Sequence, residues 1–469
     1  MAYIQGVNAS DPRLKSHARR ADASRHCIPY ALHGDGVPCT KKDSLDVMSI
    51  HSLLGSGTSL DMKCMLHAFM KNVKWEGGGI DTMKSIWKII IWSLTVLASG
   101  VFRKTDWNDQ AFWNGSWDAC MAESDVAFAG GFYFELWEIK ADMDYLANVL
   151  KLEHWGERNH ICTLCLADRS AGASSCWINF KPDASWKNTV WPSHQTWLAA
   201  HPSPHDLFLM GSVTIHHVQY DSLHIVDLGV TAHIVGNALL YLATSGMYPT
   251  TGALETVVEG IWSEVQNFYV TMGGFATKSR ISNLTVSMFA QDGGVSTHFP
   301  SLRHMKAAES KNLAPAVFHV FQGYLRQDVE ADQHMCACLG GLVAFYNHTD
   351  RRHGRFLLPV QVRAVQSSID VSLAHYNWLT NWAIDNHKIA FNIVPKFHYW
   401  WHIGWQSQYA NPGFTTTYLD EDYVGRIAIA ARNCTSGTGL ASISRKVAEH
   451  FVCGVQVRWW RASSVEESC

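Results

Sequence analysis

The chain has 469 residues, 47% hydrophobic and 17% charged, which gives ample material for a large core and excludes wholesale disorder. Its 38 Lys and Arg against 41 Asp and Glu leave a formal charge of −3, so it is no uniformly basic nucleic-acid coat, although one basic groove stays compatible with that balance. Twelve cysteines at this length are too sparse for a disulfide scaffold and predict a reducing intracellular setting.

Residues 1–25 carry Arg13, Lys15, Arg19, Arg20 and Arg25 without apolar periodicity and read as a basic arm. No apolar run there resembles a secretory signal, so the sequons at Asn283 and Asn347 are expected to be chance matches. Residues 27–32 read as a strand ending in a turn at His33-Gly34-Asp35-Gly36. Runs at 45–54 and 62–73 follow as strands, then a helix at 81–102 and an aromatic strand at 131–139. The apolar stretch 86–102 is short for a membrane span and contains Lys88; with Asp81 as N-cap and Gly100 near its end, it reads as a buried helix. From residue 221 onward the spacing turns helical, over 221–244, 252–271, 301–325, 334–347 and 359–392.

Several residues could carry chemistry. Asp35, framed by glycines at a strand end, would project from a sheet edge toward a cation, or would sit in an ordinary Asp-Gly hairpin turn, which the local sequence alone favours. Asp142 and Asp144 fall on one face at the end of the fourth strand, and one of them can instead cap the helix expected at 145–152. Glu421 lies in an acidic first turn, where carboxylates commonly complement the helix dipole. Cys162 and Cys165 have the spacing of half a zinc site, with His160, Cys176 and His224 as available partners; no second CxxC or HxxxH lies at knuckle distance. The segment 394–402, with Lys396 and His398 among aromatics, reads as a strand that either faces nucleic acid or is buried. Walker, Rossmann, GxSxG and HExxH signatures are missing from the sequence, which removes the commoner nucleotide, hydride and acyl-transfer readings.

The order of these signals is more specific than any one of them. HGDGVPCTKKDSL resembles the first-aspartate strand of the CACTA (En/Spm) and Plavaka-like DDE/DDD transposases, and ADMDYLANVLKLEHWGERNHICTLC their second-aspartate segment with its Cys-x-x-Cys pair. YDSLHIVDLGVTAHIVGNALL and FPSLRHMKAAESKNLAPAVF resemble their Asp-x-x-His helix and helical insertion. VPKFHYWWHIGW followed by TYLDEDYVGRI resembles the Lys-x-His block and glutamate helix, so that the likeness spans 25–450.

The resemblance implies an α/β RNase H-like fold, with a mixed sheet whose first three strands are antiparallel and a large all-helical insertion. It divides the chain into a basic arm (1–25), a first core part (26–160), a Cys-x-x-Cys segment and helical insertion (161–395) and a C-terminal core part bearing the glutamate helix (396–469). Asp35, Asp142 and Glu421, with Asp144 as alternative second acid, match the catalytic positions and would hold Mg²⁺ or Mn²⁺ for DNA strand cleavage and strand transfer. Structural zinc would fall to Cys162, Cys165, Cys176 and His224, and DNA contacts to Lys396, His398, Arg426 and Arg432. A nuclear, homo-oligomeric DNA-binding protein without membrane association is the corresponding expectation. Since no DNA-reading module is recognisable, a truncated, domesticated or catalytically silent relative is the alternative.

Overall fold

A computed structural model describes residues 7, 11–16, 23–41, 43–77, 80–123, 128–156, 160–170, 172, 174–274, 277–290, 298–435 and 439–466. The chain divides into two compact units, Met1–Leu152 with Trp191–Gln219 and Thr417–Cys469, and Glu153–Val190 with Tyr220–Thr416. The first unit is built on β1 (Cys27–Pro38), β2 (Ser44–Ser52), β3 (Lys63–Met70), α1 (Thr82–Ser99), β4 (Tyr133–Ala141) and α2 (Met143–Asn148). The second contains α3 (Leu223–Thr244), α4 (Leu254–Thr271), α5 (Ala307–Gly323), α6 (Glu330–His348), α7 (Pro359–Asp385) and α8 (Pro395–Gln406). The chain then returns to the first unit with α9 (Tyr418–Cys434) and α10 (Leu440–Glu466).

The four strands form one mixed sheet in the order β3-β2-β1-β4. β1 and β2 are antiparallel, as are β2 and β3, while β4 runs parallel to β1 with Gly34 level with Ala141. A parallel neighbour needs a long crossover, and α1 lies within that crossover and packs on β4. Asp81 caps α1 by accepting from the Lys84 amide, and Gly100 ends it in the left-handed conformation. Trp87, Ile90 and Leu94 are its buried stripe, as a core helix requires. The helix that is long and apolar enough to cross a membrane, among the described residues, is instead α3, and 78% of its apolar window is buried.

On one sheet face Leu45, Val47, Ala68 and Met70 pack with Tyr423, Val424, Ile427 and Ala431 of α9 and with Ile443 and Val447 of α10. Burying a side chain of this size contributes about 1.5–3 kcal/mol, so this layer fixes where the start of α9 stands.

Two expectations need correction. The turn at 33–36 is strand: β1 continues through Pro38, and Asp35 stands opposite Val47. The glycines serve close approach rather than reversal, because a Cβ on Gly34 would collide with the Tyr145 ring and one on Gly36 with the Lys71 ammonium. In the arm, Arg13 is not a free cation. It is buried, binds Asp11 at 2.6 Å and donates to the Trp137 carbonyl. Arg19 and Arg20 lie outside the described residues.

Candidate active site and metal centre

The parallel pairing of β1 and β4 ends at Gly34 and Ala141, so Asp35 and Asp142, the next residues on each, are neighbours. Both line a pocket of about 190 Å³, together with Asp144, Asp46, Lys71, Lys74 and Tyr145. Asp142 also N-caps α2, accepting from the Tyr145 amide at 2.7 Å through one carboxylate oxygen. Asp144 is exposed and accepts from the Asn148 side chain at 2.8 Å. Asp35 takes the Gly36 amide at 2.6 Å.

Asp46, from β2, is fully buried and had no role in the sequence reading. It is bound by His67 at 3.0 Å and by Lys74 at 2.8 Å. Burial raises its pKa, but hydrogen bonds and charge from His67 and Lys74 outweigh that and hold it below the usual carboxylate value. Tyr145 is buried among these acids. Its hydroxyl has no hydrogen-bond partner among the described residues, and burial followed by the charges of Asp46, Asp35 and Asp142 pushes its ionisation well above the ordinary value. The pocket therefore combines hard carboxylate oxygens, two ammonium groups and a neutral phenol donor.

Glu421 is half-buried on α9 but is not among the residues lining this pocket. The acid of that turn which faces the sheet is Asp420. It is fully buried, in direct contact with Lys63 of β3, and lies 3.8 Å from His51 and 4.0 Å from His33. Burial opposes its ionisation, yet His33, Lys63, Lys140 and His51 together drive its pKa far down. Burial in turn pulls Lys63 below its usual value, with Asp420 opposing; at direct contact we treat the two as an ion pair. Strand alternation places His33, Ser49, His51, Lys63, Glu138 and Lys140 on the face that carries Asp420, making a buried polar layer around the α9 terminus.

In the other unit, Cys162, Cys165, His398 and His402 are all buried, with one ligand atom from each lying within 4.8 Å of all the others. His398 Nε2 and His402 Nε2 each stand 3.3 Å from Cys165 Sγ and 3.2 Å from each other. Donors held at zinc's bond lengths in a tetrahedron are separated by about 3.3–3.8 Å, so this donor set could hold such a metal. Burial resists ionisation of Cys162, but Cys165, His402 and His398 draw its thiol well below the ordinary value, whereas burial and the neighbouring Cys162 push Cys165 up. Two thiolates this close repel each other, and a metal is what would permit both. Trp186 closes over it, its ring centroid 4.3 Å from that of His398.

This corrects the expected ligand set. Cys176 and His224 stand outside the cluster, and His224 is held by Asp221 at 2.6 Å. The missed signal is His398-x-x-x-His402, an i, i+4 pair on one helix face that begins after Pro395 at the first helical turn. The same finding corrects two other expectations: 394–402 is helix and not strand, and His398 is fully buried and cannot face phosphate from there. Lys396 lies half-buried along Gly229. Arg426 and Arg432 are exposed on α9, Arg426 paired with Asp422 at 2.8 Å.

No protein-family model matches the chain, and no curated protein matches it.

Proposed function

We propose that the sheet-bearing unit is an RNase H-like core of a metal-dependent DNA transposase, similar to the CACTA and Plavaka-like enzymes, acting on DNA in the nucleus as a homo-oligomer. The observation that carries this reading is the placement of Asp35 and Asp142 side by side where the parallel pairing of β1 and β4 ends, both lining one pocket with Asp144. A sheet ordered β3-β2-β1-β4, with only the last pair parallel, supports the fold assignment.

The donor chemistry fits Mg²⁺ or Mn²⁺, since Asp35, Asp142 and Asp144 offer hard oxygens in an open pocket. Such an ion, when bound, activates a water or 3′-hydroxyl and stabilises the leaving oxygen of a phosphodiester. The chain's own groups do the positioning. Lys71 sets a positive charge at the pocket wall against a phosphate, Lys74 holds Asp46 in place, and the Tyr145 hydroxyl supplies a neutral donor among the acids. Zinc at Cys162, Cys165, His398 and His402 would be structural, because all four donors come from the protein and the site is closed.

The test is cleavage of a labelled DNA oligonucleotide in Mg²⁺ or Mn²⁺ by the wild type and by Asp35→Asn and Asp142→Asn. At least a hundredfold loss in each variant is expected, and cleavage that survives both substitutions rejects the assignment. A second reading, a catalytically silent nucleic-acid-binding protein on the same scaffold, is favoured by one observation: Glu421 does not line the pocket. Metal-independent DNA binding without any cleavage would select it.

A further inference from the structure

We infer that the acid pocket continues into a nucleotide cleft, so that the substrate is a phosphodiester strand presenting one unpaired nucleotide beside the reacting phosphate. This rests on the reading above and adds the substrate's local form. A cleft of about 340 Å³ shares Lys74, Asn148 and Val149 with the acid pocket. Its volume falls in the range of small-molecule sites, roughly 300–1,000 Å³.

The lining is amphipathic. Met83, Val149 and Pro204 offer apolar surface beside the buried Trp87, whose Nε1 has no hydrogen-bond partner among the described residues, and the His205 ring meets Trp87 edge-on at 4.5 Å. Lys84 and Lys151 add ammonium groups beyond Lys74. Lys151 has φ 57°, a left-handed conformation that a lysine adopts only where its surroundings impose it. Its charge is felt at His205, whose pKa falls to about 4 through burial first, with Asp206 opposing and Lys151 reinforcing. Glu76, Asp81 and Asp206 balance the lysines in number, and Asp81 is committed to capping α1. A balanced lining disfavours a wholly anionic ligand such as pyrophosphate. It suits a nucleotide, which brings phosphate to the ammonium groups, base-edge N–H groups to the carboxylates and a flat apolar face to Met83 and Val149.

The experiment measures binding of a short single-stranded DNA by fluorescence anisotropy across a salt series, with wild type and the double variant Lys84→Gln/Lys151→Gln, alongside Mn²⁺ binding. Neither lysine lines the acid pocket, and matched thermal melting of the two proteins checks folding. The variant is expected to bind the strand at least tenfold more weakly, with the slope of log K against log salt reduced by about 1.4 for two lost phosphate contacts, and to retain Mn²⁺ binding. A strand carrying one abasic position should bind the wild type several-fold more weakly than the intact strand. Unchanged affinity and slope in the variant overturn the cleft, and equal binding of abasic and intact strands overturns its occupation by a base. If the wild type takes no Mn²⁺ while the lysine variant still loses the strand, the catalytic reading fails and the cleft stands.

Discussion

Cys162, Cys165, His398 and His402 close on one another out of solvent, whereas Asp35, Asp142 and Asp144 stand around an open pocket with Lys71 and Lys74 among them. The first set is soft, complete with four donors and walled by Trp186. The second is hard, incomplete without outside oxygens, and partly offset by lysines. A closed set of protein donors would hold an ion for stability, and an open set would exchange water or substrate at one, so under the proposed function the structural role falls to the first set and the chemical role to the second.

The largest expected effect falls on the closed site. Structural zinc in small domains supplies about 10–16 kcal/mol of apparent binding free energy, so stripping the metal, or the variant Cys165→Ser, should abolish cooperative melting of the helical unit. Metal analysis and circular dichroism read this together. Protein purified without zinc, its Cys162 and Cys165 freely alkylated while folded, would erase the contrast between the sites.

A second break concerns two groups of acids within the sheet unit. Asp420 is sealed with Lys63, while Asp35 borders an opening. Asp420→Asn leaves a buried ammonium uncompensated and should cost about 3–5 kcal/mol in urea unfolding, and Asp420→Leu/Lys63→Met together should recover most of it. The pKa of Asp420 is held below its unfolded value, so its stabilisation is present above about pH 4 and is lost as pH falls further.

Histidine gives the next effect at milder pH. Burial holds His51 down to about 2, and His205 and His216 down to about 4. These rings stay neutral in the folded sheet unit while the unfolded chain protonates near pH 6.5. Stability is therefore complete above about pH 6.5 and falls as pH drops toward 4, by about 1.4 kcal/mol per pH unit for each histidine that acts independently. Equilibrium unfolding at stepped pH checks the sign. A sheet unit that gains stability on acidification over this interval contradicts it.

Element types were legible where one periodicity dominated. The strands at 27–38, 44–52, 63–70 and 133–141 and the helix at 82–99 all fall where the sequence pattern put them, to within a few residues at most ends. The misreadings share one cause: local signals decided by distant partners. Gly34 and Gly36 look like a turn until Tyr145 and Lys71 occupy the space above them. The aromatic run around His398 suits a strand or a helix, and its role depends on a cysteine pair 233 residues earlier in the chain. Asp46 has no motif at all; β-pairing opposite Gly36 brings it to the site. Asp420 precedes Glu421 in the same acidic turn, and only the packing of Tyr423 and Val424 on the sheet turns Asp420 inward.

The smallest effect is also the sharpest test of the open site, because Asp142 holds two roles that can be separated. One carboxylate oxygen caps α2 by accepting from the Tyr145 amide at 2.7 Å, and the side chain also lines the acid pocket. Asparagine caps a helix about as well as aspartate, whereas alanine loses the cap at about 1 kcal/mol. Asp142→Asn should therefore leave stability within about 0.5 kcal/mol of wild type, or raise it slightly by relieving repulsion with Asp35 and Asp144. Asp142→Ala should lose about 1 kcal/mol in the same unfolding measurement. Binding of Mn²⁺, read by titration calorimetry, should fall in both variants alike, because an amide oxygen is a weaker ligand than a carboxylate. If Mn²⁺ affinity instead tracks stability, unchanged in the asparagine variant and reduced only in the alanine variant, then Asp142 is a helix cap and nothing more.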